Sequence, residues 1–255
     1  FDLAHVTVLR EGRVALSDVS LVVRADERVA VLGPNGSGKS TLVKLLHREI
    51  YPLDRPGSHF RVLGTSQFVA SDLRRTLGAV SNDLALACAK PGIVVRDLVA
   101  SGFYASVGLW PFDEVPEAYR ERADEAMRRL DVTHLADRRM TELSTGEARR
   151  ALVARAIVHG PRALLFDEPT VSLDVRARRE TREAMRKVAR SGLGVVVVTH
   201  ELEDVVPEID RVVLLRDGRV FADGPKRDVA TAERLSSLYG VPVEIDEREG
   251  VLHLR

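Results

Sequence analysis

Residues 28–46 read RVAVLGPNGSGKSTLVKLL, and this stretch decides the fold. A short apolar run leads into the pattern G-x-x-x-x-G-K-S/T, and leucines at helical spacing follow it. Glycine lets successive backbone N–H groups turn toward one point, and the start of a helix adds positive charge there. The stretch therefore predicts a strand, a phosphate-binding loop and a helix, in that order.

The whole loop is assigned to phosphate binding. Lys39 supplies a cation for the outer phosphates, and the Ser40 hydroxyl is a ligand for Mg²⁺. The alternative is a flexible glycine- and serine-rich loop, which the matching strand and helix on either side argue against. The predicted phosphate-binding residues are Gly33, Pro34, Asn35, Gly36, Ser37, Gly38, Lys39, Ser40 and Thr41.

A second apolar run, RALLFDEP at residues 162–169, ends in two carboxylates. Carboxylates at the end of a buried strand are costly unless they meet a cation or take part in proton transfer. We predict that Asp167 faces Mg²⁺ through water and that Glu168 polarises the attacking water. The alternative is an ordinary acidic strand end.

A third continuous run, GVVVVTH, ends at His200. Parallel sheets place their ligands at the carboxyl ends of strands. We therefore predict that the His200 imidazole bonds to a γ-phosphate and to the attacking water. A lone histidine is otherwise more often structural or exposed.

The remaining pattern combines two kinds of sheet with a helical region. The first residues alternate apolar and polar side chains and predict short antiparallel strands that turn at Glu11-Gly12. A second hairpin turns at Asp217-Gly218. Helical segments dominate residues 77 to about 160, one with Pro116 expected at its first position. Continuous apolar runs that alternate with helices from residue 162 on predict a parallel sheet covered on both faces.

The charge balance, the cysteine count and the length of the apolar runs limit the classes of function that the chain can have. Basic and acidic residues each number 38, so the formal net charge is zero and no general field favours nucleic acid. The single cysteine, Cys88, excludes an intrachain disulfide and is expected to be buried. No apolar run reaches the ~18–20 residues of a membrane span. We expect no signal peptide, and membrane contact only through a partner.

Residues 143–147 read LSTGE and precede another helical run. Ser144 and Glu147 have the spacing of a capping box, in which each side chain bonds to the other residue's backbone N–H. The same helix start is suited to binding phosphate. The same helix start can therefore be both a capping box and a phosphate-binding site.

Together these motifs resemble the nucleotide-binding subunit of ABC ATPases. GPNGSGKST is similar to the Walker A sequence, ALLFDE to Walker B, VSLD to the D-loop and VTH to the switch histidine, while LSTGE lies where the family has LSGGQ. The order and spacing hold over nearly the whole chain. The resemblance implies an α/β fold: a P-loop NTPase (RecA-like) core with a mostly parallel sheet, an N-terminal antiparallel β subdomain and an inserted α-helical subdomain. Residues 1–255 would form one ABC ATPase domain, with the core at 1–81 and 161–255 and the helical subdomain at 82–160.

The resemblance also implies ATP and Mg²⁺ as cofactors and a head-to-tail dimer with a second copy or a paralogous ABC ATPase. Each ATP would lie between one chain's Walker A and the other's signature sequence. Ser144 and the Gly146 backbone would meet the γ-phosphate held by the opposite chain, with Glu147 beside them. Asp174 would stabilise the pair.

Three departures from the family pattern affect this site. Asn82 stands where the family has a glutamine that contacts Mg²⁺ and the attacking water. Because asparagine is shorter, it would reach Mg²⁺ through water or only after the dimer closes. The alternative is a plain turn asparagine. Arg10 stands where the family has an aromatic residue that stacks on adenine. A guanidinium can also stack on a base by its flat face. The alternative is an exposed hairpin arginine. LSTGE carries Thr145 and Glu147 where the family has glycine and glutamine.

The functional hypothesis is an ATP-hydrolysing subunit that powers a membrane transporter. LSTGEARR and the tail LSSLYGVPVEI resemble a subgroup of single-domain ABC proteins close to metal, metal-chelate and molybdate importers. This resemblance implies uptake of a metal, metal chelate or oxyanion. It would lie in the cytoplasm on the inner face of the membrane and dock on permease subunits near Asn82–Trp110, where the aromatic residues are Phe103, Tyr104, Trp110 and, just beyond, Phe112. The alternative for these aromatic residues is packing in the core. The alternative is a soluble ABC ATPase for Fe–S assembly or regulation. Without a sustained heptad run, a DNA-repair ABC ATPase is disfavoured, and the complete set of carboxylates argues against an inactive binding module.

Overall fold

The computed structural model describes residues 1–66, 73, 76–110 and 114–255. Within these residues the strands are β1 Asp2–Arg10, β2 Arg13–Val22, β3 Arg28–Leu32, β4 His59–Arg61, β5 Leu77–Val80, β6 Ala163–Asp167, β7 Gly194–Thr199, β8 Arg211–Arg216, β9 Arg219–Pro225, β10 Ile245–Arg248 and β11 Val251–Leu254. The helices are α1 Lys39–Leu46, α2 Asn82–Cys88, α3 Val95–Ala100, α4 Glu117–Arg129, α5 Thr145–Ile157, α6 Val175–Arg190, α7 Lys226–Val229 and α8 Ala232–Tyr239. They belong to two compact units, residues 1–70 with 194–255, and residues 71–193.

The first unit holds an antiparallel sheet and a mostly parallel one. The antiparallel sheet has the order β2-β1-β4, and the other runs β7-β3-β8-β9 with only β9 antiparallel. Every residue of β7 is buried, as expected for a strand covered on both faces. A hairpin of β10 and β11 follows α8 near the end of the chain.

The second unit is built around a parallel strand pair and helices. β5 pairs with β6, and α5 packs against α3, α4 and α6. The middle of α5 is buried on all sides, from Ala151 to Ala156, which identifies it as the central helix of this unit.

The fold class is α/β, with mostly parallel strands and a separate antiparallel sheet, as predicted. Both predicted hairpins are confirmed, because Glu11-Gly12 and Asp217-Gly218 have the positive φ angles of the turns that join twisted strands. Two local details differ from the prediction. Strands β1 and β2 are long, at 9 and 10 residues, with β-bulges between them, and Pro116 precedes α4 as its N-cap in an extended conformation.

Among the described residues, none of the helices combines the length and apolar character needed to cross a membrane. Cys88 is buried as expected, and burial raises the pKa of its thiol. The division of the sequence into a core and a helical subdomain at residues 82–160 stays a prediction.

Candidate functional site

The predicted phosphate loop connects β3 to α1 and depends on its glycines. Gly36 and Gly38 have φ angles of 80° and 103°, and Gly38 is the N-cap of α1. A Cβ on Gly38 would lie 2.8 Å from the carbonyl oxygen of Ala15, and one on Gly33 would overlap the carbonyl of Leu215. The loop is therefore closed in by backbone on two sides and accepts no side chain at either position.

Lys39 is folded back onto the loop. Its ammonium donates to the carbonyl oxygens of Gly33 at 2.7 Å and Pro34 at 3.1 Å, and the residue is only 6% exposed. Ser37 is buried, and its hydroxyl has no hydrogen-bond partner in the part of the chain that the structure describes. Ser40 is exposed in the first turn of α1. A buried ammonium, a buried hydroxyl and a helix start at one loop fit an anion such as a polyphosphate.

His200 is brought to the same edge of the sheet as the loop. Leu32, just before the loop, pairs with Thr199, just before His200, on neighbouring parallel strands. The segment after β7 is fixed because the buried Thr199 hydroxyl donates to Asp204 Oδ2 at 2.9 Å. The Tyr239 hydroxyl donates to the backbone oxygen of His200 at 3.3 Å. This edge is where parallel sheets bind ligands.

Arg10 lies at the tip of the β1–β2 hairpin, exposed and opposite Arg13. The same hairpin reaches the phosphate loop through Ala15, whose carbonyl faces Gly38. The structure thus places Arg10 on an element that touches the loop, which is compatible with a stacking role for its guanidinium.

The second unit brings Asp167 and Asn82 to one edge. Val80 pairs with Phe166 on the parallel strands β5 and β6, so Asp167 and Asn82 both follow paired strand ends. Glu168 is half-buried and has a φ of 45°, a left-handed conformation that is costly for glutamate. Strained backbone of this kind is concentrated at functional sites, and no sequence pattern predicted it.

Asn82 is the first residue of α2 rather than a turn residue. The Ser81 hydroxyl caps this helix by accepting the Leu84 N–H at 3.1 Å. Arg149 of α5 donates from Nη2 to Oδ1 of Asn82. Arg149 is not among the site residues that the sequence predicted, and it is one of three arginines in α5, so nothing local marks it out.

The capping box at LSTGE is confirmed. Glu147 N–H donates to Ser144 Oγ at 3.3 Å, and Ser144 N–H donates to Glu147 Oε2 at 2.8 Å. The backbone N–H of Ser144 is the main cause that lowers the pKa of Glu147. Ser144 and Thr145 are exposed, whereas Gly146 is buried, and a Cβ there would meet Glu180 Oε2 at 2.5 Å.

Asp174 caps helix α6. Its Oδ1 accepts the N–H of Ala177 at 2.8 Å. A local structural role is therefore present, and the predicted contact across a dimer stays a prediction.

The aromatic residues expected at a docking surface divide into two groups. Phe103 is buried and stacks on Tyr119 with 4.0 Å between ring centroids, and Tyr104 donates to the Glu114 carbonyl at 2.9 Å. These two belong to the packing of their own unit. Trp110 is 61% exposed, and Leu86 and Val107 are further exposed apolar residues of this region. Phe112 lies outside the described residues.

The donor set fits Mg²⁺ bound with a nucleotide. Within the described residues there is no group of three or more histidine, cysteine or acidic side chains that could hold an ion alone. Mg²⁺ in nucleotide sites is held by substrate phosphates with one or two protein oxygens. The Ser40 hydroxyl and the Asp167 carboxylate are each oxygens of this kind.

A strand, phosphate loop and helix, accompanied by a strand that ends in two carboxylates, define a P-loop nucleoside triphosphatase. The chain belongs to the ABC transporter family, whose family model matches residues 16–171. It is 34% identical to the hemin import ATP-binding protein HmuV of Bordetella bronchiseptica over 94% of this chain and 92% of that protein.

Solved structures agree with this assignment. A chain from a transporter described as metal-chelate type superposes with a TM-score of 0.78 at 25% identity and covers 100% of this chain and 95% of that one. A dimeric ATP-binding cassette bound to ADP and Pi in a post-hydrolysis state gives 0.68 at 26% identity, over 88% and 97%. The chain is therefore an ATP-binding subunit of the ABC type and an ATPase with the P-loop NTPase fold.

Proposed function

We propose that the chain powers a membrane importer for hemin or a related metal chelate by binding and hydrolysing ATP. The observation that carries this proposal is the similarity to a hemin import ATP-binding protein over 94% of this chain and 92% of that protein. The likeness extends well past the motifs that all P-loop proteins share. The metal-chelate type transporter among the solved structures supports the same substrate class.

We propose the following roles for the individual residues. The loop Gly33–Thr41 binds the phosphates of ATP, with Lys39 moving from the loop carbonyls to the outer phosphates. Mg²⁺ would neutralise phosphate charge when bound, and the Ser40 hydroxyl and the Asp167 carboxylate would be its protein ligands. Glu168 orients and polarises the attacking water, and His200 bonds to the γ-phosphate. The carbonyl contacts of Lys39 support this role, because they keep the buried cation satisfied until an anion arrives.

A second copy of the chain, or a paralogous ATPase, completes the site. Ser144 and Gly146 of one chain would meet the γ-phosphate bound by the other, and Asp174 would lie at the dimer interface. The dimeric cassette bound to ADP and Pi supports such an assembly. The exposure of Ser144 and Thr145 at the start of α5 leaves this helix end accessible to a partner.

The chain would meet the membrane through permease subunits on the cytoplasmic side. Leu86 and Trp110 are 74% and 61% exposed, and both lie in the segment predicted to dock. Large exposed apolar residues of this kind are typical of interfaces.

Co-purification separates the importer from a soluble ABC ATPase. The tagged chain, extracted from native membranes in mild detergent, is expected to bring down a multi-span permease that raises its ATPase rate. Replacing both Leu86 and Trp110 with serine should release the permease while the ATPase rate of the isolated chain is retained. Recovery from the membrane-free fraction with only soluble partners would contradict the importer.

Cellular uptake tests the substrate class. Cells that carry Glu168→Gln in place of the wild-type chain should lose ATP-dependent uptake of iron supplied as hemin. Uptake of iron as a simple salt is the matched control. Normal hemin uptake in the variant cells would contradict this substrate.

A further inference from the structure

Helix α5 holds a buried cation, Arg149, that pairs with no carboxylate in the part of the chain that the structure describes. Arg149 is only 3% exposed, and burial lowers the pKa of its guanidinium. Within the described residues its Nη1 has no hydrogen-bond partner. Arginine stays protonated in proteins, and an uncompensated buried charge is costly. Among the described residues, the Asn82 amide is the group that Arg149 bonds to.

The contact that Arg149 does make fixes the orientation of Asn82. The guanidinium can only donate, so the atom that faces its Nη2 must be the amide oxygen Oδ1. The amide nitrogen of Asn82 therefore points away from Arg149. The backbone of Asn82 is held independently, because it begins helix α2 behind the Ser81 cap.

The contact with Arg149 also decides which atoms of the Asn82 side chain remain available to bind Mg²⁺ or to donate a hydrogen bond. Oδ1 is the only atom of an asparagine side chain that binds Mg²⁺. A second cation at this oxygen would be repelled by the guanidinium. The amide N–H groups remain, and polarisation of the carbonyl by Arg149 makes them stronger donors.

We propose that Arg149 is a positioning residue that presents Asn82 as a hydrogen-bond donor to a phosphate oxygen or the attacking water, in place of a Mg²⁺ ligand. The inference rests on the proposed function because it concerns the same nucleotide site. Since Arg149 lies five residues after Ser144 on the helix that LSTGE begins, the orientation of Asn82 depends on the position of that helix.

Metal affinity distinguishes a donor from a ligand. Mn²⁺ serves as the probe for Mg²⁺, and its affinity for the full chain is measured by electron paramagnetic resonance with a non-hydrolysable ATP analogue bound. For Asn82→Ala we expect a Mn²⁺ affinity within about twofold of wild type, because no ligand is lost, and a kcat reduced by at least about tenfold. Arg149→Met should give the same kcat loss with KM for ATP nearly unchanged.

The two residues are expected to act through one contact. The double variant Asn82→Ala with Arg149→Met should then be no slower than Asn82→Ala alone, because the second change removes nothing further. Asn82→Asp is the sharpest single variant: it keeps a partner for Arg149 and preserves thermal stability, yet it lacks the amide donor and should be as slow as Asn82→Ala. Arg149→Lys, which keeps the charge, should restore part of the rate and serves if Arg149→Met fails to fold.

Arg155 provides the matched control. It is also a buried arginine of α5, and it donates to the Ser106 carbonyl at 2.7 Å. Arg155→Met should lower the melting temperature, and its effect on kcat should add to that of Asn82→Ala. If Arg149 had only a structural role, Arg149→Met would likewise lower the melting temperature, and its effect on kcat would add to that of Asn82→Ala.

The results that overturn the inference differ from those that overturn the function. A Mn²⁺ affinity about tenfold weaker in Asn82→Ala, full activity of Asn82→Asp, or additive effects of the Asn82 and Arg149 changes each contradict the donor role. A wild-type chain that neither binds the Mn²⁺ nucleotide nor hydrolyses ATP contradicts the proposed function itself.

Discussion

The hydroxyl of Ser144 donates to Oε2 of Glu147 at 2.8 Å while it accepts the N–H of the same glutamate at 3.3 Å. The residue expected to bind the partner's phosphate is therefore bonded twice within its own helix start. Closure of a dimer would exchange the hydroxyl bond to Glu147 for a bond to phosphate. The signature LSTGE thus combines a helix cap with a carboxylate beside the proposed phosphate site.

The charge of Glu147 is expected to stabilise the fold in a pH-dependent way. The N–H of Ser144 lowers the pKa of Glu147 in the folded state. Its stabilisation is thus fully present above the unfolded pKa and is lost as pH falls through the folded one. Glu147→Gln keeps a capping side chain without charge and should cost about 0.3–1 kcal/mol at pH 7. Urea denaturation from pH 7 to pH 3 should show the gap closing, and a constant gap would rule out a charge effect.

A signature nearer to LSGGQ should strengthen the ATP-bound dimer. Thr145→Gly removes bulk, and Glu147→Gln removes a negative charge next to phosphate. In a Glu168→Gln background, the two changes should tighten the dimer about fivefold, the effect of relieving ~1 kcal/mol of repulsion. Light scattering with size exclusion measures the dissociation constant. An unchanged constant would mean that LSTGE serves as well as the usual sequence.

Arg10 is expected to stack on the base of ATP. Arg10→Ala should weaken ATP binding by no more than ~1–2 kcal/mol, the range of a guanidinium on an aromatic face. Arg13, which pairs with Arg10 across the hairpin, gives a matched control because Arg13→Ala removes the same charge from the same turn. Equal affinities for both variants in titration calorimetry would reduce Arg10 to a hairpin residue.

Two glycines of the phosphate loop should respond differently to alanine. A Cβ on Gly33 overlaps the Leu215 carbonyl, whereas a Cβ on Gly36 meets nothing within 4 Å. Gly36→Ala should cost only the ~1–2 kcal/mol of a left-handed backbone. Gly33→Ala should cost more and abolish ATP binding, since rigid backbone must move. Thermal unfolding with and without ATP compares them, and equal costs would contradict this description of the loop.

Features set by neighbouring residues could be predicted from the sequence. The turns at Glu11-Gly12 and Asp217-Gly218 and the Ser144–Glu147 box depend on residues at most three apart, whose local energetics decide the structure. The phosphate loop belongs to the same group. Its glycines are required by the loop itself and by backbone that packs closely against it.

Features that depend on tertiary packing could not be predicted. Arg149 and Asn82 are 67 residues apart, and nothing local to either residue predicts their contact. The left-handed backbone of Glu168 likewise has no local cause, because glutamate disfavours that conformation. Of the two interpretations of Phe103, a docking surface or core packing, the structure confirms core packing, because its ring is buried and stacks on Tyr119.

The ATPase rate of Glu168→Gln tests the central claim most directly. The variant keeps the size and the hydrogen-bonding capacity of the side chain but removes the carboxylate that polarises water. We expect turnover at least about a hundredfold below wild type, with ATP binding retained and an ATP-bound dimer visible by size exclusion. Wild-type turnover in the variant would contradict the assignment of Glu168 and the mechanism built on it.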